Sequence, residues 1–181
     1  MKRKKFFLLF FCSLTLANVF GAGGIYMKIS GYNGSSTAPN FSNYFDIEET
    51  TLTNTGCSGS SCTIAPGNFI FKWIMDNASI PLKIKMFQAS SAANIPSVDI
   101  VYTKSSLSSS MVIYQIHLTN VRVTNISQVG DATDKLEEQV SLTYQTIAWK
   151  YTYYNADGSA NGVVGCNDVA NTGSCPVVFP F

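Results

Sequence analysis

One histidine, His117, is all that the 181 residues contain, and that scarcity narrows hydrolytic chemistry at once. A Ser/His/Asp or Cys/His set has to be built on His117, because the imidazole is the base that activates the hydroxyl or thiol. His117 stands between Ile116 and Leu118, on the opposite parity of a strand-like run, where a surface or hydrogen-bonded histidine is the plainer reading. No Gly-rich stretch follows a strand and opens a helix, so the nucleotide-binding fingerprints are missing too. Asp46, Glu48 and Glu49 stand close enough in the chain to pair for acid/base work or to bind calcium. With no matching cluster elsewhere to complete acid/base work or a calcium shell, they read as a solvated strand edge. Neither a linker nor an internal repeat is present. The sequence therefore predicts no enzyme, no cofactor and no resident metal.

What is there begins with export. Lys2, Arg3, Lys4 and Lys5 precede an apolar run too short to cross a bilayer, and small residues follow, which is the layout of a secretory signal peptide. The expected cut follows Gly21, with Val19 three positions before it, and a cut after Ala17 is the second choice. An N-terminal anchor is the competing reading, although Cys12 lies inside the apolar run rather than after small residues. Removing residues 1–21 takes four of the 12 basic residues and none of the 11 acidic ones, turning a formal charge of +1 into about −3. The mature chain then has no electrostatic footprint for nucleic acid or anionic lipid and no stable membrane insertion. It is expected in the periplasm or outside the cell, as one domain of about 160 residues with a sizeable core.

Four cysteines remain after the cut: Cys57 and Cys62 in one loop, Cys166 and Cys175 in the tail. An even count in an exported chain favours disulfides, and pairing between sequence neighbours is the simplest of three connectivities. Zinc is the competing reading, and C-x4-C and C-x8-C with a single His suit it poorly.

The longest strand-forming run is Gln139 to Gly158. Val140, Leu142 and Tyr144 keep one parity and Ile147, Trp149, Tyr151 and Tyr153 the other, a slip that predicts a bulge bending one long strand before the Asp157-Gly158 turn. Met111 to Ile126 behaves alike, with Tyr114, Ile116 and Leu118 on one parity and Val121 and Val123 on the other. Two long bent strands predict a barrel or a strongly curled sandwich. Shorter strands are expected at Ile25 to Ile29, Tyr44 to Glu48, Phe69 to Met75 and Val98 to Tyr102, with a long polar loop from Thr50 to Asn68. Residues Pro81 to Ala89 stay open: Leu82, Ile84 and Met86 alternate as in a strand, whereas Ile80, Ile84 and Phe87 make a helical face, with Ser79 a plausible cap. Trp149, Tyr151, Tyr153 and Tyr154 could stack on bases or sugars, but with Lys150 alone beside them they read as core and subunit-interface surface.

The order of elements resembles the hemolysin-coregulated protein (Hcp) family, whose members form the inner tube of the bacterial type VI secretion system. The matching residues are Ile25-Tyr26-Met27-Lys28-Ile29-Ser30-Gly31, then Asp76-Asn77-Ala78-Ser79 with Pro81-Leu82. They continue with Asn94-Ile95-Pro96-Ser97-Val98-Asp99-Ile100, where the family usually has His in place of Asn94. Leu118-Thr119-Asn120-Val121-Arg122-Val123 and Ile147-Ala148-Trp149-Lys150-Tyr151-Thr152-Tyr153 complete the set. The resemblance spans residues 25 to 165. It implies a mainly β fold, a small two-sheet barrel with one flanking α-helix at Pro81 to Ala89, occupying residues 22–170 ahead of a C-terminal extension, 171–181. It implies a homo-hexameric ring, rings stacking through the Thr50 to Asn68 loop, and partners among secretion-system components or effector proteins carried inside. The signal segment, the cysteine pair in that loop and the extension depart from the family pattern. They leave open a second reading, a secreted effector or binding domain that uses the fold without a tube.

Overall fold

The computed structural model describes residues 23–53, 67–88, 94–105, 110–130 and 135–167. The signal segment, Cys57, Cys62, Cys175 and the extension lie outside those residues, as does the side chain of Cys166. The elements in chain order are β1 (Ile25–Ile29), β2 (Phe45–Ile47), β3 (Glu49–Thr53), β4 (Asn68–Ile74), α1 (Ser79–Phe87), β5 (Ile95–Ser105), β6 (Ser110–Gly130), β7 (Leu136–Thr143), β8 (Thr146–Tyr154) and β9 (Ala160–Asn167).

Alternation of apolar and polar residues produces the short strands, as in β1, where Met27 and Ile29 are buried and Lys28 is exposed. The ladders run in the order β2, β1, β5, β6, β7, β4, β3, with β8 on β6 and β9 beyond β8. β2 and β3 end this path and are consecutive in the chain, with Glu48 between them. The sheet therefore curls back to its own starting segment without a ladder closing it. The barrel implied by the resemblance is present in this looser form, as two curled sheets that share β6.

β6 is 21 residues long and belongs to both sheets: Tyr114 to Thr119 pair with β8, and Arg122 to Gly130 pair with β7. Its buried residues run Ile116, Leu118 and then Val121, Val123, and the change of phase falls on Asn120 at φ 49°. Asparagine is among the few non-glycine residues that visit this left-handed region readily. The partner run changes phase at the same level. Its expected single bent strand is two strands, β7 and β8, parted at Tyr144 and Gln145, with Gln145 N–H donating to the Thr119 carbonyl at 3.0 Å. A three-residue step between buried side chains marks a passage from one sheet to the other here.

The polar stretch after Ile47 holds a strand that the sequence reading assigned to loop. Glu49 to Thr53 pair with Lys72 to Asn68. Threonine is β-branched and suits strands, and at the end of the ladder path, where little is buried, such a strand carries no apolar signature.

Trp73, Phe45, Phe69 and Phe71 fill the core together with Met27, Ile100, Ile116 and Leu118. Phe71 meets Trp73 edge-on with ring centroids 5.2 Å apart, a geometry aromatic quadrupoles favour. Residues Ser79 to Phe87 are helical, with Pro81 in the first turn, where its missing N–H leaves no bond unmade. Ser79 is the first helical residue rather than the cap; its hydroxyl accepts from the Asp76 N–H at 3.0 Å.

Candidate functional site

The strand run singled out in the sequence emerges as a two-stranded ribbon. β8 pairs with β9 from Ala148↔Asn167 to Tyr154↔Ala160, and the Asn155 to Ser159 turn joins them, with Gly158 at φ 84°. Trp149 lies opposite Ile116 and is half-buried against the core. Past it the ribbon leaves the core: Tyr151 is 49% exposed, Tyr153 41% and Val164 64%. The pairs Tyr151↔Val164 and Tyr153↔Gly162 put these three side chains on one face. Val163, also exposed, is opposite Thr152 on the other face.

Two contacts fix this surface. A Cβ on Gly162 would come 2.2 Å from the Tyr153 hydroxyl oxygen, so the phenol lies across the bare glycine of the neighbouring strand. Tyr154 Oη donates to the Val112 carbonyl at 2.7 Å, tying β8 to the start of β6. Inward of Tyr151, Tyr114 is its register partner and approaches Tyr102 at 5.4 Å between centroids. Burial pushes both of those phenols above their ordinary pKa, with the neighbouring Tyr102 adding to it at Tyr114. Of the three candidate interface residues, Tyr151 and Tyr153 thus form an exposed apolar face, while Trp149 serves mainly to anchor its base.

A second exposed apolar face was not anticipated in this orientation. α1 turns Ser79 and Leu82 inward, with Met86 packed partly against the core, and presents Ile80, Ile84 and Phe87 outward at 53, 56 and 79% exposure. The helix is held by a polar anchor. Glu138 on β7 is completely buried. It receives the Trp73 indole N–H at 3.1 Å and the Gln128 amide at 3.1 Å, and pairs with Lys83 Nζ at 2.7 Å. Desolvation presses its carboxyl upward, but hydrogen bonds from Lys83, Ser79 and Trp73 outweigh it and hold the pKa below the usual range. Nothing in the sequence reading singled out Glu138. The carboxylate that settles the helix comes from β7, a strand distant in sequence, so no local pattern could announce it.

His117 pairs through Nδ1 with Asp99 Oδ1. They are register partners in a cross-strand row that also contains Lys28. Lys28 Nζ in turn stands 5.7 Å from the centre of the Tyr44 ring. Asp46, Glu48 and Glu49 are exposed along β2 and β3, and Ser36 donates to Asp46 at 2.8 Å. Among the described residues no group of three His, Cys, Asp or Glu side chains lies close enough together to hold a metal ion.

Residues 26–151 match the family described as "Type VI secretion system effector, Hcp". The chain belongs to the Hcp family. Solved Hcp-type structures share its fold. A type six secretion system protein superposes with a TM-score of 0.72 at 18% identity, covering 83% of this chain and 99% of that one. Hcp1 from Salmonella typhimurium gives 0.65 at 22% identity, covering 83% and 98%. A type VI secretion system effector from Yersinia pestis gives 0.64 at 20%, covering 80% and 99%. No curated protein matches the sequence. The helix at Ser79–Phe87 and the strands from β2 to β7 fall within the residues that the family matches, whereas Tyr153 and Val164 of the ribbon lie beyond its end at residue 151.

Proposed function

We propose that this Hcp-family chain is a non-enzymatic structural subunit whose copies associate into a ring, a hexamer in the first instance, that stacks into a tube and accommodates effector proteins. The observation that carries the reading is the exposed face of Tyr151, Tyr153 and Val164 on a chain of this family. A monomeric small β domain gains nothing from leaving a tyrosine, a second tyrosine and a valine adjacent in water, whereas contiguous apolar faces of this kind mark protein contacts. Export through residues 1–21 to the periplasm or beyond, and closure of Cys57–Cys62 and Cys166–Cys175, belong to the same proposal.

A second reading, a secreted effector or binding domain acting without a tube, is favoured by the basic and apolar N-terminus, the cysteine pair Cys57 and Cys62 and the C-terminal extension. Sedimentation of the processed chain across micromolar concentrations separates the two. A discrete oligomer of several copies supports the ring, and a concentration-independent monomer overturns it in favour of the secreted domain.

A further inference from the structure

Asparagine followed directly by glycine occurs at Asn33-Gly34 and at Asn161-Gly162. The dipeptide is chemically self-reactive: the backbone nitrogen after the asparagine can bond to the side-chain amide carbon and close a five-membered ring. Glycine has no Cβ to bar that approach and bends to it easily. The fold decides which of the two sites is free to react.

Asn33 is exposed, but its glycine is held. Gly34 donates its N–H to the Asn43 carbonyl at 3.0 Å, and a Cβ on it would come 2.0 Å from the Tyr44 carbonyl oxygen, so backbone presses on backbone there. The related Asp157-Gly158 pair is restrained as well. Asp157 accepts the Ser159 hydroxyl at 2.7 Å and backbone N–H at 2.9 Å, while Gly158 donates its N–H to the Asn155 carbonyl at 3.0 Å. Asn161 is placed otherwise. β8 and β9 are in register at Tyr153↔Gly162 and again at Tyr154↔Ala160, which makes Asn161 the extra residue of a β-bulge, where ladder pairing lapses. Asn161 is exposed, and among the described residues its amide has no hydrogen-bond partner. β9 has no strand on its outer side among the described residues. The atoms nearest to a Cβ on Gly162 all belong to the exposed Tyr153 ring, which can swing aside. Local opening at such an edge costs far less than opening packed backbone.

We propose that Asn161 is a site of spontaneous covalent modification, at which the Gly162 backbone nitrogen attacks the Asn161 side-chain amide and the residue becomes aspartate and isoaspartate. The new bond joins Gly162 N to Asn161 Cγ. The Cγ–Nδ2 bond breaks, and ammonia leaves with the proton that Gly162 gives up. Water then opens the cyclic imide. Hydrolysis of the bond to Cγ gives aspartate, and hydrolysis of the bond to the main-chain carbonyl routes the chain through the side chain as isoaspartate. Both products put a carboxylate in the bulge, and isoaspartate also inserts a methylene into β9 between Ala160 and Gly162. Ammonia is lost to solvent, so the change is one-way and accumulates with the age of the chain. Neither ring nor monomer is required for it.

The test is peptide mapping by mass spectrometry of the processed full chain, incubated folded at mildly alkaline pH in heavy-oxygen water. The Asn161 peptide should convert at least about tenfold faster than the Asn33 peptide, the advantage of an edge that opens locally over backbone that is packed. Its product should carry heavy oxygen and separate into aspartate and isoaspartate forms. In urea the two sites should converge, because they share the same dipeptide and only the fold distinguishes them. Asn161→Gln, whose longer side chain disfavours the five-membered ring, should remove the signal at this position and leave Asn33 as it was. Asn33 converting first, equal rates at the two sites in the folded chain, no conversion at Asn161, or a rate ratio that persists in urea would overturn the proposal. A product without heavy oxygen would overturn it too, since the ring-opening water comes from solvent.

Discussion

Asn120 donates its side-chain amide to Gln145 Oε1 at 2.7 Å and accepts from the Asn94 amide at 2.6 Å, at the level where the two longest runs of the chain cross from one sheet to the other. The left-handed backbone at Asn120 creates the crossing, and the amide chain spans its surface. Replacing Asn120 should therefore separate backbone from side-chain effects. Asn120→Gly keeps the conformation and loses only exposed hydrogen bonds. Asn120→Ala must strain the backbone as well, and should be less stable than the glycine variant by about 1 kcal/mol in urea titration. Equal stabilities would mean that the crossing does not depend on positive φ.

Lys83 and Glu138 set the second prediction. Lys83→Met leaves a buried carboxylate short of its cation, and should cost about 3 kcal/mol. Glu138→Gln keeps the volume and an acceptor for Trp73, so about 1–2 kcal/mol is expected. The folded pKa of Glu138 is depressed. Its contribution is therefore fully present above the ordinary glutamate range, near pH 4.3, and disappears as pH falls through the lower folded value. Stability measured from pH 6 to pH 3 should drop less in Glu138→Gln than in the wild type; parallel curves would remove Glu138 from the account.

Gly162 supplies the third. Its Cβ would collide with the free end of Tyr153, which swings away more cheaply than backbone. Gly162→Ala should leave thermal stability within about 0.5 kcal/mol, the range of a surface change, yet weaken self-association by tilting Tyr153 out of the ribbon face. Association unchanged in this variant would show that the position of that ring is immaterial.

Export and oxidation form the fourth. Intact-mass analysis of periplasmic or secreted protein should find a chain starting after Gly21 with no thiol open to alkylation before reduction. Reduction should lower stability by about 2 kcal/mol or less per bridge, since each closes only a short loop. A retained residue 1–17 segment or four alkylatable thiols would refute this.

Much of the architecture was legible because period-2 patterning reports directly on half-buried strands: β1, β2, β4 and the two long runs fell where alternation put them, and the phase slips at Asn120 and Tyr144 marked real crossings. β3 was hidden by its polar threonines at the end of the ladder path. The helix was ambiguous because Leu82, Ile84 and Met86 alternate as in a strand while Ile80, Ile84 and Phe87 are spaced as on a helix, and only the family resemblance chose. The exposed direction of Ile80, Ile84 and Phe87 was illegible for a deeper reason. An apolar helical stripe ordinarily faces a core, and here the inward face is held by a buried charge pair whose second member arrives from β7.

A single strand of 21 residues serving both sheets leaves the molecule no seam. Trp73 reports from the β3–β4–β7 side and Trp149 from the β8–β9 side, yet neither side can lose its order without unravelling the strand the other leans on. Their fluorescence should consequently change in one shared transition on heating. The chain behaves as one cooperative unit rather than two stacked layers, and a subunit passed intact from hand to hand around an assembly would need that indivisibility.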